Sequence, residues 1–256
     1  MLRVAPVPAF RDNYIWVIHN DLSAAVVDPG DARPVLDFLS AQNLQLTAIL
    51  NTHHHADHVG GNAALLRQFS VPVYGPRNES IAQLTHRLAE GDPVQLTELD
   101  LTLDVLDIPG HTAGHIAFHG GGYLFCGDTL FACGCGRLFE GTAEQMLRSL
   151  SKLARLAPGT EVYCGHEYTQ ANIRFARRVE PDNQVLRERE IRETKKRVAD
   201  LPTLPTSIGL ERETNPFLRC DQAAVSRAAA AQAGITLDGE VGVFAALREW
   251  KNNFQG

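Results

Sequence analysis

The chain lacks a long apolar run: none of its 256 residues lies in a stretch approaching the roughly 18 consecutive apolar residues that span a bilayer. No membrane association is expected from it. The opening segment, MLRVAPVPAF, has one arginine, two prolines and no apolar core, so a secretory signal is not expected there. Cysteine is scarce and odd in number, five in all, which excludes an evenly paired disulfide framework and points to a reducing cytoplasm. Positive charge is in deficit, with 24 Lys and Arg against 30 Asp and Glu, and the net −6 argues against a nucleic-acid binder that relies on a basic face. Internal repeats and low-complexity tracts are missing as well. With 44% hydrophobic and 21% charged residues, the composition suits a globular chain of one or two domains.

Histidine breaks the pattern. Four of the ten histidines fall within six residues, at His53, His54, His55 and His58, and none follows His166. Up to about this point strand-like and helix-like segments alternate. Asn13–His19, Ser23–Val27, Leu46–Leu50, Val71–Tyr74, Leu99–Ile108, Tyr123–Cys126 and Glu161–Cys164 read as strands, rich in branched and aromatic residues and stopped by turn signals such as Asp28-Pro29-Gly30. Ala32–Ala41, Ala63–Phe69 and Met146–Leu156 carry helical spacing. After His166 the segments Gln170–Val179, Gln184–Leu201, Gln222–Ala233 and Gly242–Lys251 are helical, and Leu201–Asn215, with two prolines and a glycine, reads as a linker. The expected division is an α/β domain over 1–168 and a helical domain over 169–256. The first carries a charge balance of −8 and the second +2.

The run Thr52-His53-His54-His55-Ala56-Asp57-His58 follows a strand and precedes Gly60-Gly61. In extended backbone alternate residues face one way, so His53 and His55 can converge on one metal while His54 points elsewhere. Asp57 and His58 come as the chain turns and can face a second point nearby. Imidazole and carboxylate suit borderline divalent ions such as zinc, and such crowding on a loop is costly without a cation. His111, Asp128 and His166 stand where later strands end. Singly, each has an ordinary structural explanation as a cap or a satisfied polar residue. Together with the cluster they make seven donors, enough for two ions with three protein ligands each and one shared carboxylate. His115, four residues beyond His111, is expected to pack or hydrogen-bond instead.

The HxHxDH cluster, followed in order by GHTAGH, GDT and CGHEY, resembles the metallo-β-lactamase superfamily. The blocks Phe131–Thr142, Tyr163–Thr169 and Asn215–Arg219, with the helical C-terminal part, are similar to the glyoxalase II (hydroxyacylglutathione hydrolase) family over essentially the whole chain. That resemblance implies an α/β fold, an αββα sandwich followed by a smaller all-helical domain. It implies two divalent ions, zinc first and iron or manganese as alternatives. His53, His55 and His111 would hold one, Asp57, His58 and His166 the other, with Asp128 bridging. Ions about 3.5–4 Å apart would make a bridging water into hydroxide at neutral pH, with Asp57 orienting it toward a thioester carbonyl.

The implied partner is a glutathione thioester, S-lactoylglutathione above all, and the chain is expected to act as a monomer. Its carboxylates call for cations. The resemblance points to Arg137, Tyr168, Asn172, Arg248 and Lys251, of which the last two share a helix face. Phe139, where some relatives carry Tyr, has no hydroxyl to offer and is left out. Cys133 and Cys135 are expected to be small packed residues, and Cys126, Cys164 and Cys220 carry no spacing signal. Three rivals fit less well. Another superfamily enzyme, a lactonase or a single-iron persulfide dioxygenase, is the first, and the dioxygenase would leave donors without a role. A nucleic-acid-processing enzyme would meet its polyanion with an acidic domain. A non-catalytic metal module would not require a cationic pocket.

Overall fold

Strand-forming stretches dominate the first half of the chain, and the computed structural model, which describes residues 1–255, shows how they are used. The chain forms two compact units. The first comprises Met1–Asp107, Ala113–Gly127 and Tyr163–His166; the second comprises Ile108–Thr112, Asp128–Val162 and the chain from Glu167 onward.

In the first unit β1 (Arg3–Ala9), β2 (Asn13–His19) and β3 (Ser23–Val27) form an antiparallel meander. Helix α1 (Ala32–Gln42) crosses over to β4 (Gln45–Leu50), which pairs parallel with β3. The short helices α2 (Ala56–Val59) and α3 (Asn62–Leu66) lead to β5 (Val73–Pro76) and β6 (His86–Leu88), both parallel additions to the same sheet, in the order β1-β2-β3-β4-β5-β6. Helix α1 starts on an Asp31 cap and stops at Asn43, whose φ of 53° suits an asparagine C-cap. A second ladder, β7 (Pro93–Leu96), β8 (Leu101–Asp107), β9 (Ile116–Gly120) and β10 (Tyr123–Gly127), is antiparallel throughout.

Strand β2 explains the layering. All seven of its residues are buried, as a strand covered on both faces must be. Ile15 and Val17 pack with Val35 and Leu39 of α1, so that helix covers one face. Between them Trp16 turns the other way: its Nε1–H donates to Cys164 O at 2.9 Å, and its ring meets Tyr163 edge-on at 4.8 Å. Tyr163 in turn stacks on Phe125 of β10 at 5.1 Å, so the two sheets face each other across an aromatic layer.

The second unit opens its regular structure with a tight hairpin, β11 (Leu130–Phe131) and β12 (Gly134–Cys135), then α4 (Ala143–Ala154), started by a Thr142/Gln145 capping box. Strand β13 (Glu161–Cys164) bonds through Glu161 and Val162 to the two-residue β14 (Thr206–Ser207). The rest is helical: α5 (Thr169–Val179), α6 (Gln184–Val198), α7 (Ile208–Thr214), α8 (Ala223–Ala233) and α9 (Gly239–Asn252). Phe175, Phe217, Phe244 and Trp250 close their core, ring to ring at 5.3–5.9 Å. Mixed sheets in a sandwich, followed by helices, are the expected α/β class with a helical C-terminal part.

Several expectations need correction. Leu201–Asn215 is not all connection, because α7 occupies its second half. The strand expected over Leu99–Ile108 begins at Leu101, after a 3-10 turn at Thr97–Leu99. Strands β1, β6, β7, β9 and the β11–β12 hairpin were not foreseen, for they are short, proline-bearing or polar on one side.

Candidate active site

The first unit gathers donors at the ends of buried strands. Strand β3 ends in Asp28, held at φ 52°, and β4 runs into Thr52. Asp28 accepts the Thr52 N–H and the Thr52 hydroxyl, both at 2.7 Å, and its Oδ2 lies 3.0 Å from His58 Nδ1. One carboxylate thus ties down both ends of the histidine loop. At Gly30 the chains come closer still: a Cβ there would sit 1.9 Å from the Asp57 carbonyl oxygen, so only glycine lets the Asp57 turn approach.

Asp57, His58 and His166 bring ligand atoms within 4.8 Å of one another. His58 Nε2 and His166 Nε2 are each 3.6 Å from Asp57 Oδ2. Two donors that share an ion at about 2.1 Å with tetrahedral angles stand about 3.4 Å apart, so the spacing fits a metal. Orientation supports the fit. Each imidazole turns Nδ1 to a carboxylate, His58 to Asp28 and His166 to Asp12 at 2.9 Å, which leaves Nε2 directed at the cluster. Asn13 Nδ2 donates to Asp57 Oδ2 at 3.0 Å and fixes the carboxylate. His53 is fully buried, with Nε2 3.1 Å from His55 Nδ1 and Nδ1 3.1 Å from Thr52 Oγ1. This His and Asp donor set suits a divalent cation.

Two further histidines do other work. His54 points to Glu79, Nδ1 to Oε2 at 2.9 Å. His115 stacks on His53 at 4.5 Å and places Nδ1 3.0 Å from Ile116 O. Asp12, Asn13 and Asp28 were missed in the sequence. The only signals were an Asp-Asn pair ahead of β2 and an Asp in a turn, neither of which names a partner so far along the chain.

In the second unit His111 Nδ1 lies 2.8 Å from Arg137 O, a contact that places the proton on Nδ1 and gives Nε2 the lone pair a metal would need. That Nε2 is 3.5 Å from Asp128 Oδ2, again a co-ligand spacing. Gly136 is required beside them, since a Cβ would meet the Asp128 carbonyl oxygen at 1.9 Å.

His111 and Asp128 line a cavity of about 440 Å³ that also receives Arg137, Tyr168, Asn172, Arg248 and Lys251. All five expected substrate residues therefore share one pocket with two of the expected metal ligands. Arg248 is buried, donates Nη1–H to Cys135 O at 2.8 Å and lies 5.1 Å over the Phe217 ring. Lys251 donates to Ala171 O at 3.1 Å with its ammonium 5.3 Å from the Phe175 centroid. Burial pushes the Lys251 amine down to about 8, and the positive charges of Arg248, Arg174 and Arg137 add to the shift against a smaller opposing effect of Cys135. Asn172 spends its amide on Ala132 O at 3.1 Å, and Tyr168 sets its ring edge-on to Phe131 at 5.3 Å. Phe139 is 62% exposed and lies 5.2 Å from the His111 ring. All five cysteines are buried, and none of them is in a disulfide. Burial pushes the Cys133 thiol up to about 12 and raises Cys135 and Cys220, so these are packed thiols and not nucleophiles.

Two family models match the chain: metallo-beta-lactamase superfamily over residues 9–166 and hydroxyacylglutathione hydrolase C-terminus over residues 167–254. A hydroxyacylglutathione hydrolase of Nitrosomonas eutropha is 58% identical over 255 residues, covering 100% of both chains. Among solved structures, TTHA1623 in a di-iron-bound form is 27% identical with a TM-score of 0.59, over 84% of this chain and 100% of that one. ETHE1 from Myxococcus xanthus, 24% identical, matches the fold with a TM-score of 0.66 over 98% of each chain.

Proposed function

Because the chain belongs to the hydroxyacylglutathione hydrolase (glyoxalase II) family of the metallo-β-lactamase superfamily, we propose that it hydrolyses S-(2-hydroxyacyl)glutathione thioesters. S-lactoylglutathione is the substrate we assign, with glutathione and D-lactate as products. One observation carries the reading: a single cavity combines the donors His111 and Asp128 with the cations Arg137, Arg248 and Lys251. A carboxylate-bearing thiol conjugate needs both.

We assign His53, His55 and His111 to one divalent ion, Asp57, His58 and His166 to a second, and Asp128 to both. Zinc is the ion we favour, and the same donors accept iron or manganese. Such ions, when bound, supply Lewis acidity that lowers the pKa of water and polarises a carbonyl. The chain's own residues do the rest. Asp57, steadied by Asn13, orients the attacking water through a hydrogen bond. Arg137, Arg248 and Lys251 hold the carboxylates, with Tyr168 and Asn172 beside them. The water oxygen adds to the thioester carbon, the C–S bond breaks, and the departing sulfur takes a proton as glutathione. A protein nucleophile is not required, and the buried cysteines do not offer one.

Among the described residues no helix is long and apolar enough to cross a membrane. We place the enzyme in the cytoplasm as a monomer, with no membrane or nucleic-acid partner. The test pairs metal analysis with a thioester assay. Hydrolysis of S-lactoylglutathione in proportion to metal content is expected; no hydrolysis with both sites filled would refute the reading.

A further inference from the structure

A fully buried charge pair stands behind the pocket. Arg189 of α6 and Glu211 of α7 meet at 2.6 Å, with side chains 1% and 0% exposed. Arg189 also donates to Thr214 Oγ1 at 2.6 Å and to Thr206 Oγ1 at 3.0 Å, while its Nε has no hydrogen-bond partner among the described residues. Taking such a pair out of water costs about what the attraction returns, and apolar side chains of equal volume often do as well or better. Stability alone gives little reason for the pair.

Its outer face gives one. Glu211 Oε2 accepts the Cys133 N–H at 2.8 Å and the Asn215 amide at 3.0 Å, and Asn215 Nδ2 also donates to Phe131 O and Gly134 O at 3.1 and 2.9 Å. These are the backbone groups of the β11–β12 hairpin. Its turn residue Cys133 has φ 56°, a conformation that a non-glycine residue keeps only when its surroundings hold it. The hairpin presents Phe131 and Cys135 to the pocket, and the Cys135 carbonyl accepts from Arg248 at 2.8 Å.

We propose that Arg189 and Glu211 are positioning residues for substrate recognition: the pair fixes the hairpin, and the hairpin aims the Arg248 guanidinium at a substrate carboxylate. The inference rests on the thioesterase reading given above. The test uses the metal-loaded, full-length double variant Arg189→Met/Glu211→Leu, which removes both charges together and so leaves no unpaired ion. Hydrogen exchange at the 131–135 amides should quicken about tenfold or more while the unfolding midpoint stays within a few degrees. KM for S-lactoylglutathione should rise about tenfold with kcat within about twofold. In an Arg248→Ala background the same pair of substitutions should leave KM unchanged, because the hairpin then has nothing to aim. A merely structural pair would multiply KM equally in both backgrounds, and that outcome, or unaltered exchange, overturns the proposal. If the double variant does not fold, Glu211→Gln, which keeps the volume but leaves the Arg189 charge unpaired, takes its place with the same expectations for exchange and KM and with a lowered unfolding midpoint. A parent that hydrolyses no thioester overturns the underlying reading instead.

Discussion

Lys251 offers the sharpest test of the anion pocket. Its amine, pushed down to about 8 by burial and by Arg248, Arg174 and Arg137, changes charge within about a pH unit either side of that value. If the ammonium holds a substrate carboxylate, only the protonated fraction of free enzyme binds well. That fraction is about 90% at pH 7 and about 10% at pH 9, so KM should rise roughly tenfold across the interval. A bound carboxylate restores the favourable charge and moves the ionisation upward, so the break should show in kcat/KM and be absent from kcat. The assay is steady-state hydrolysis of S-lactoylglutathione from pH 6.5 to 9.5, with the uncatalysed rate subtracted and metal content checked at each pH. Lys251→Arg should flatten the profile, since a guanidinium stays charged throughout, and Lys251→Met should show the high KM at every pH. A flat KM in the parent, or a slope that survives in Lys251→Arg, refutes the reasoning. Folding responds to the same group. The folded chain holds fewer protons at Lys251 than the unfolded chain between about pH 8 and 10.5, so the stability cost is full below that window and fades as pH rises through it.

Other outcomes follow from the same geometry. Arg248→Ala should raise KM about tenfold or more with a much smaller change in kcat, as loss of a charge-assisted contact remote from the reacting carbonyl does; equal falls in kcat and kcat/KM would place Arg248 at the chemistry instead. Asp12→Asn, which removes the charge facing His166 Nδ1, should weaken metal affinity about 10–100-fold in a competition titration with little loss of fold. Chelation should abolish hydrolysis, and re-addition of zinc, iron or manganese separately should show which ion restores it. Gly136→Ala should lower the unfolding midpoint by several degrees, because its methyl meets the Asp128 carbonyl; an unchanged midpoint would mean the β11–β12 segment yields easily.

The metal-donor candidates that could be read from the sequence share one property: most lie within a few residues of a strand end. Buried strands announce themselves by composition, and a polar residue placed where such a strand stops must have a purpose. His53, His55, His111, Asp128 and His166 satisfy that condition, and Asp57 and His58 follow on α2 as the chain turns. Their supports do not. Asp28 reaches across 30 residues to His58, and Asp12 across 154 to His166, and no local pattern links either pair. The pocket cations could be listed from resemblance, yet the packing of Arg248 on Phe217 and of Lys251 on Phe175, which would set their strength toward an anion, only the folded chain reveals.

Helix α7 shows why one element was overlooked. Its buried positions are Ile208, Glu211 and Thr214, spaced three apart as a helix requires, but two of the three are polar. A hydrophobic template therefore finds no stripe, and two prolines just upstream suggest a connection. Helix α6 is legible as a helix, but nothing in its charged sequence marks Arg189 and Glu193 as buried. Helix α7 turns a polar face inward because what Glu211 holds is backbone, the Cys133 amide of the hairpin, and backbone is held by hydrogen bonds rather than by apolar area, while Arg189 of α6 holds Glu211 in turn. Where a helix in this chain buries charge, the place to look is the unsupported loop that the charge keeps in position.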